Sequence, residues 1–314
     1  MSFKYKFTVF TPCYNSEKTL HRVFNSLMSQ TIDHSIFEWL VINDASTDNT
    51  HNLIEKYIQK ADFDIHYINL EKNQMLIKNY RLAIEQARGE LFLAIGHDDA
   101  FVSETLEVFD STWNSFSVEE REKCGSIGVL CQDQTGNKIG NDYPLENAFV
   151  NNIKAVFGWS HLGLGETWAI TKTIILKKYF LLPSKIDTIK YIPESYFWNK
   201  IALQTDSPMS YIMNCRLRIY YINDNEDHIS HNIKSKYSEG FEHESLYFIN
   251  NYFSLFYKVP SLYCKHLVKY VMFSNWNKKS FSRSIRQIKR FDVKILFFVF
   301  YIPSLILKGK YFGN

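Results

Sequence analysis

The sequence predicts an α/β protein in which a mainly parallel sheet is flanked by helices and a helical, basic C-terminal region follows. Three observations predict it. In the first hundred residues, short apolar runs alternate with segments whose apolar residues recur at helical spacing. The runs end in polar, acid-bearing loops, as strand ends do in open α/β sheets. A formal net charge of +3 also hides an uneven distribution: residues 258–314 hold 12 Lys plus Arg and one acid, Asp292, a local +11, whereas residues 1–257 hold 24 bases and 32 acids, a local −8.

The elements follow in order. Residues 7–13 read as an apolar strand, and 17–30 as a helix with Leu20, Val23, Phe24 and Leu27 on one face. A second strand is expected over 37–42, a helix over 48–60, a third strand over 65–70, a helix over 75–87 and a fourth strand over 90–95. Strands separated by helices of this length call for right-handed crossovers and a sheet covered on both faces. Beyond them, 103–116 reads as a helix and 127–132 as a strand, and Gly136, Gly140 and Asn141 mark a hairpin or loop. A strand over 167–171, a helix through Tyr179, a helix over 194–203 and a strand-rich stretch over 210–222 complete the body. The polar stretch 223–238 is the expected linker, and from Glu239 onward the pattern is helical.

Composition narrows the class. With 46% hydrophobic and 22% charged residues over 314 positions, the chain is an ordered globular protein of one large domain or one domain with an appendage. Five cysteines (Cys13, Cys124, Cys131, Cys215 and Cys264) lie scattered without a C-x-x-C spacing. That argues against a disulfide framework or a zinc site and for reduced thiols in a cytosolic protein. The N-terminus has no signal-peptide apolar stretch, and no run reaches the length of a spanning helix.

Ligands of parallel α/β sheets bind outside the carboxyl ends of the strands. The first strand ends in Thr11-Pro12-Cys13-Tyr14-Asn15-Ser16-Glu17, the second in Asn43-Asp44-Ala45-Ser46-Thr47-Asp48, and the fourth in Gly96-His97-Asp98-Asp99. Ser16 and Asp48 suit helix N-caps, and capping alone would explain them. Asp44 precedes that cap region. The adjacent Asp98 and Asp99 repel each other unless a cation or hydrogen-bond donors compensate, and hard carboxylate oxygens suit magnesium or manganese.

The ordered set Thr11-Pro12-x-Tyr14-Asn15, Asn43-Asp44-Ala45-Ser46-Thr47-Asp48, Ala87-Arg88-Gly89-Glu90 and His97-Asp98-Asp99 resembles the family 2 glycosyltransferases with the GT-A, Rossmann-like fold, of the bacterial surface-polysaccharide type. The detailed likeness covers about residues 5–105, and a looser one continues to about 230. It implies a glycosyltransferase domain over 1–230, with a nucleotide-binding half at 1–105 and an acceptor and donor-sugar half at 106–230; the helical pattern and basic composition set 239–314 apart as a separate C-terminal region. It implies a nucleotide-sugar donor, most often a UDP-sugar, with Pro12, Tyr14, Asn15 and Asp44 around the base and ribose. Asp98 and Asp99 would take the place of the acidic motif that holds a divalent cation, manganese or magnesium, against the diphosphate, with Asp98 also near the nucleotide. Lys78 and Arg81 would add positive charge near the phosphates, although exposed helical charges explain them as well. His228 stands in a loop that resembles one folding over the nucleotide.

The same likeness assigns the general base of an inverting transfer to Glu194, in Pro193-Glu194-Ser195, where family members carry a Glu-Asp pair opening a helix. Glu194 also suits a simple role beside the helix dipole. Glu166, Trp168 and Trp159 fall where the family shapes its donor-sugar and acceptor pocket, and an indole face suits a pyranose, as it suits a core. The chain departs from the pattern at Asn43, Gly96 and Ser195, where acids are common. Those departures motivate a rival expectation, a non-catalytic, membrane-associated nucleotide-sugar or glycan-binding module.

The basic region alternates charge with apolar residues. Lys278, Lys279, Arg283, Arg286, Lys289 and Arg290 precede the Phe-rich stretch 293–307, which Pro303 interrupts, and Lys308 and Lys310 follow. A basic amphipathic segment of this kind fits an interfacial helix on an anionic leaflet, here over residues 278–310, and it lacks nucleic-acid-binding signatures. A core-packing or homodimerising subdomain is the competing expectation. Together these readings place the protein in the cytoplasm, peripheral at the inner face of the cell membrane, acting on a glycan or lipid-linked glycan hydroxyl during capsule or O-antigen assembly.

Overall fold

The computed structural model describes residues 3–155, 163–180, 189, 191–222 and 236–312, with the side chains of 308–312 excepted. The chain divides into two units, Met1–Leu181 with Asn199–Asp224, and Leu182–Trp198 with Asn225–Asn314. The stretch Leu182–Trp198, expected inside the first domain, thus groups with the helical unit.

In the first unit, β1 (Tyr5–Cys13) lies between β2 (Phe37–Asn43) and β4 (Gly89–Ala94), and β3 (Asp64–Asn69) flanks β2, with all three pairings parallel. Every residue of β2 is buried, as a parallel strand covered on both faces requires. Three amphipathic crossover helices, α1 (His21–Met28), α2 (Thr50–Lys60) and α3 (Leu76–Gln86), supply the cover. Phe24 of α1 stacks on Tyr57 of α2 with centroids 3.9 Å apart, and both rings lie within about 6 Å of Trp39.

The sheet continues from β4 through β8 (Thr167–Lys172), β6 (Cys124–Asp133) and β9 (Met209–Tyr220), with short strands β5 (Ala100–Phe101) and β7 (Ala148–Asn151) on β9. β8 is antiparallel to both β4 and β6, whereas β6 and β9 run parallel. The second half of the sheet is therefore mixed. The helices α4 (Thr105–Ser115) and α6 (Thr173–Tyr179) fall where expected. β5, β7 and α5 (Val118–Lys123) were not expected, although the Ser117 and Glu120 capping box that opens α5 is a sequence signal.

The Ala87-Arg88-Gly89-Glu90 motif has a structural explanation at the edge of the sheet remote from the acidic loops. The buried Glu38 of β2 accepts Arg88 Nε at 2.6 Å, the Arg88 backbone N–H at 2.8 Å and the Thr8 hydroxyl at 2.6 Å. A Cβ at position 89 would stand 2.3 Å from the backbone nitrogen of Thr8, so only glycine lets β4 approach β1 this closely.

In the second unit the described helices include α8 (Ser238–Asn251), α9 (Ser254–Lys258), α10 (Pro260–Trp276), α11 (Phe281–Gln287) and α12 (Phe291–Phe312). Aromatic packing joins them: His266 of α10 stacks on Phe248 of α8 with centroids 3.8 Å apart, and Phe241 stacks on Phe273 at 5.2 Å. The buried hydroxyls of Tyr263 and Tyr270 donate to the carbonyls of Ile249 (2.6 Å) and Ser284 (2.8 Å). The helix α12 runs through Pro303 without ending, and the buried Ser304 hydroxyl donates to the Phe300 carbonyl at 2.5 Å beside the missing proline N–H.

Candidate active site

Strand order reverses between β1 and β4, since β2 and β3 lie to one side of β1 and β4 to the other. The carboxyl ends of these strands flank the switch point where open α/β sheets bind ligands. The three polar loops singled out in the sequence meet there.

The loops after β1 and β2 are stitched together. Asn15 N–H donates to the Ser46 hydroxyl (2.9 Å), while Asn15 Oδ1 accepts the Thr47 N–H (2.9 Å). Ser16 N–H donates to Thr50 Oγ1 (2.8 Å), Glu17 N–H to Asp48 Oδ2 (3.1 Å), and Asn49 N–H to Glu17 Oε2 (2.8 Å). These bonds consume the backbone donors of residues 15–17, so the helix expected from residue 17 is preceded by a turn and starts at His21. Ser16 consequently caps no helix, and its hydroxyl accepts the Tyr14 N–H instead. Asp48 both accepts the Thr50 N–H at 3.0 Å and holds Glu17. Burial pushes its carboxyl up, but the Thr50 hydroxyl and the Glu17 and Thr50 amides outweigh that and leave it below the usual range. Tyr14 in this loop is half exposed, and Pro12, near the end of β1 before it, is partly buried.

Asn43 and Asp44 organise the neighbouring turns. The Asn43 side chain donates to Asn69 Oδ1 (2.9 Å) and accepts the Ser46 hydroxyl (2.5 Å) and N–H (3.2 Å). This holds Ala45 in the left-handed region, φ 58°, where glycine is the easy occupant. Asp44, 3% exposed, accepts the N–H groups of Gln74 (2.6 Å) and Met75 (3.0 Å), and Met75 also has a positive φ, 72°. Two non-glycine residues in strained backbone beside one carboxylate are the kind of feature that collects at functional sites.

After β4, the four residues separate in role. His97 Nδ1 lies 2.9 Å from the Thr19 hydroxyl, and burial pulls its pKa below the ordinary histidine value. Asp98 is partly exposed, and its carbonyl accepts Arg22 Nη1 at 2.6 Å. Its carboxylate fills the space of the missing side chain at Gly96, where a Cβ would stand 2.7 Å from Asp98 Oδ1. The absent acid at 96 and the position of Asp98 are thus one feature.

Asp99 corrects the expectation of a paired cation site. It is 3% exposed, and both of its oxygens are engaged: Oδ2 accepts Arg218 Nε at 3.0 Å and Nη2, and Oδ1 accepts the Tyr221 N–H at 3.2 Å. Burial pushes its carboxyl up, the Arg218 guanidinium pulls it back, and burial is the larger effect. Among the described residues no group of three or more His, Cys, Asp or Glu side chains converges as a metal cluster. One free carboxylate, Asp98, still meets the need of a cation that draws its other ligands from water and substrate phosphates. Arg218 and Arg22, whose guanidinium lies 3.7 Å from the Tyr221 ring centroid, are not among the expected site residues; an arginine inside an apolar strand, as Arg218 is in β9, is the signal that points to an acidic partner.

The remaining expectations divide. Trp168 is core and does not line a sugar pocket: it is 5% exposed, its Nε1 donates to the Ala94 carbonyl (2.6 Å), and its ring packs on Phe101 and Phe109. Glu166 is exposed, and its charge acts on Arg218. Lys78 sits in the first turn of α3. Arg81 pairs along that helix with Glu85 at 2.9 Å, its i,i+4 neighbour. Glu194, a residue of the second unit, immediately precedes α7 (Ser195–Gln204), and its carbonyl accepts the Phe197 N–H at 2.9 Å. The Ser195 hydroxyl donates to the buried Glu244 at 2.5 Å. Trp159 and His228 lie outside the described residues.

Residues 8–113, which contain all three loops, match the sequence profile of glycosyl transferase family 2. This segment is a family 2 glycosyltransferase domain. Over 102 residues the chain is 36% identical to the Staphylococcus aureus poly(ribitol-phosphate) beta-N-acetylglucosaminyltransferase TarS, a match covering 32% of this chain and 18% of TarS. It is 30% identical over 100 residues to the putative teichuronic acid biosynthesis glycosyltransferase TuaG of Bacillus subtilis, covering 32% of this chain and 38% of that protein. The chain therefore spans well under half the length of these relatives. In three dimensions it superposes on S. aureus TarS 1-349 in complex with UDP-GlcNAc with a TM-score of 0.61 at 19% identity, covering 96% of this chain and 80% of that one. The chain thus has the GT-A fold. Among the described residues no helix is long and apolar enough to cross a membrane.

Proposed function

We propose that the protein is an inverting glycosyltransferase that moves a sugar from a UDP-sugar to a hydroxyl of a lipid-linked or surface glycan. The observation that carries this reading is the meeting of the three family 2 loops at the β1/β4 switch point, with Asp44 buried in one and Asp98 left available in another. Relatives named for poly(ribitol-phosphate) glycosylation and for teichuronic acid biosynthesis, and a structural neighbour holding UDP-GlcNAc, support a surface-polymer setting.

In this reading the Pro12–Asn15 loop and Asp44 receive the base and ribose, and Asp98 is the residue that would hold a divalent cation, magnesium or manganese. When bound, such a cation offsets the charge that develops on the departing diphosphate. His97 and Asp99 do not touch substrate; through Thr19 and Arg218 they hold the loop that presents Asp98. Glu194 takes the proton from the acceptor hydroxyl as that oxygen attacks the anomeric carbon from the face opposite the departing UDP. The enzyme works peripherally at the inner face of the membrane, where a lipid-linked acceptor is presented.

The test is release of UDP from a panel of UDP-sugars, with manganese or magnesium and with chelator. Transfer or hydrolysis that Asp98→Ala and Glu194→Ala each reduce at least about a hundredfold, with an unchanged circular dichroism spectrum, is expected for residues acting on charge and proton in the transition state. Wild-type turnover in either variant removes that residue from the mechanism. UDP binding without any turnover would favour the non-catalytic binding module.

A further inference from the structure

The exposed side of α12 is continuous and apolar. Phe291 (78% exposed), Ile295, Phe298 (70%), Val299, Ile302 (69%) and Ile306 (75%) recur at spacings of four, three, one, three and four residues. At 100° per residue these six positions fall within about 100° of the helix circumference, and at 1.5 Å per residue they extend about 22 Å. The opposite side, with Val293, Phe297 and Ser304, is buried and anchors the helix to its own unit. Burying one side against α10 and Phe281 leaves the other uncovered, which is more exposed apolar surface than scattered single residues explain.

Charge identifies what covers it. The helix α11 lies beside α12 through Phe281, whose ring is 4.8 Å from Tyr301 and 6.2 Å from Phe298. It carries the exposed Arg283 and Arg286, and Lys289 is exposed in the turn between the two helices. The only acid of residues 258–314, Asp292, is already bonded to Arg290. An apolar strip on a helix whose neighbour carries exposed cations is complementary to a surface that is anionic outside and hydrocarbon beneath. We propose that α12 lies in the plane of an anionic lipid leaflet, with Phe291, Ile295, Phe298, Val299, Ile302 and Ile306 inserted and the α11 cations at the headgroups. The proposal rests on the peripheral setting given above and names the surface responsible; it is independent of the chemistry at Asp98.

The test is co-sedimentation of the full chain with vesicles of phosphatidylcholine alone and of phosphatidylcholine with 30% phosphatidylglycerol, as a ratio set by the experimenter to give an anionic surface. Binding to the anionic vesicles only, weakened at least about tenfold by Phe298→Lys with Ile302→Lys and also weakened by Arg283→Glu with Arg286→Glu, supports it. The substituted side chains are exposed, so folding is retained, and UDP-sugar turnover read in parallel reports the catalytic reading separately. Vesicle binding that the α12 variant leaves intact overturns the assignment to α12 alone. Absence of vesicle binding overturns the peripheral setting as well. A concentration-dependent dimer by light scattering that the α12 variant dissolves, without vesicle binding, assigns the face to a second copy instead.

Discussion

Arg218 donates through Nε to Asp99 Oδ2 at 3.0 Å, and this pair ties the loop after β4 to the end of β9. Asp99 has 4% of its side chain exposed and Arg218 17%. Removing one partner strands the other charge in a dry site. Arg218→Ala is expected to cost about 3 kcal/mol of unfolding free energy, measured by urea denaturation, because a buried carboxylate loses its compensation. Arg218→Ala with Asp99→Ala should cost less than the two single changes added, since neither charge is then left alone. Strict additivity would show that the pair is not coupled.

Ala45 offers the opposite sign. Replacing alanine by glycine usually destabilises through backbone entropy, but Ala45 has φ 58°. The left-handed conformation costs an L-residue about 1–2 kcal/mol, which exceeds the entropy lost with glycine. Ala45→Gly should therefore raise the unfolding free energy by about 0.5 kcal/mol, a small upward shift of the melting temperature. A clear decrease would mean that the Asn43 and Ser46 hydrogen bonds already relieve the strain.

Gly89 and Gly136 separate close approach from backbone angle. A Cβ at 89 would lie 2.3 Å from Thr8 N, whereas at Gly136, φ 85°, nothing stands within 4 Å. Gly89→Ala should cost about 3 kcal/mol or more by forcing β1 and β4 apart. Gly136→Ala should cost only about 1 kcal/mol, the left-handed penalty alone. Thermal denaturation of both variants gives the ranking.

His266, stacked on Phe248, has its pKa pulled down to about 3 by burial, with Lys269 and Lys265 adding to the effect. An unfolded histidine titrates near 6.5, so between about pH 6.5 and 3 the unfolded chain binds a proton that the folded chain refuses. Stability from this residue is present above pH 6.5 and falls by about 1.4 kcal/mol per pH unit below it. His266→Phe should flatten the acid limb of a stability against pH curve. An unchanged slope would show that the ring is protonated in the folded protein.

Much of the first hundred residues was legible because crossover units announce themselves: apolar runs such as 37–42 and helical spacing at Leu20, Val23, Phe24 and Leu27 are local signals. The three loops were legible for the same reason, as they sit directly after those runs. The second half of the sheet was less so. β5 is two residues long and β7 four, too short for periodicity, and both exist only because β9 offers them hydrogen bonds. Trp168 shows the same limit: its composition suits a sugar face or a core, and only its contacts with Ala94, Phe101 and Phe109 decide for the core.

By itself, then, the sequence determined the crossover architecture, the acidic loops at the strand ends and the basic, apolar character of the last sixth of the chain, because each is written in neighbouring residues. Tertiary structure alone decided that Asp98 and Asp99 part company. One carboxylate is left at the switch point while the other is spent on an arginine 119 positions away. It also decided which side of α12 stays bare. Both depend on what packs against a side chain from a distant part of the sequence, and the free energy of a buried charge or an exposed ring is set by that neighbour.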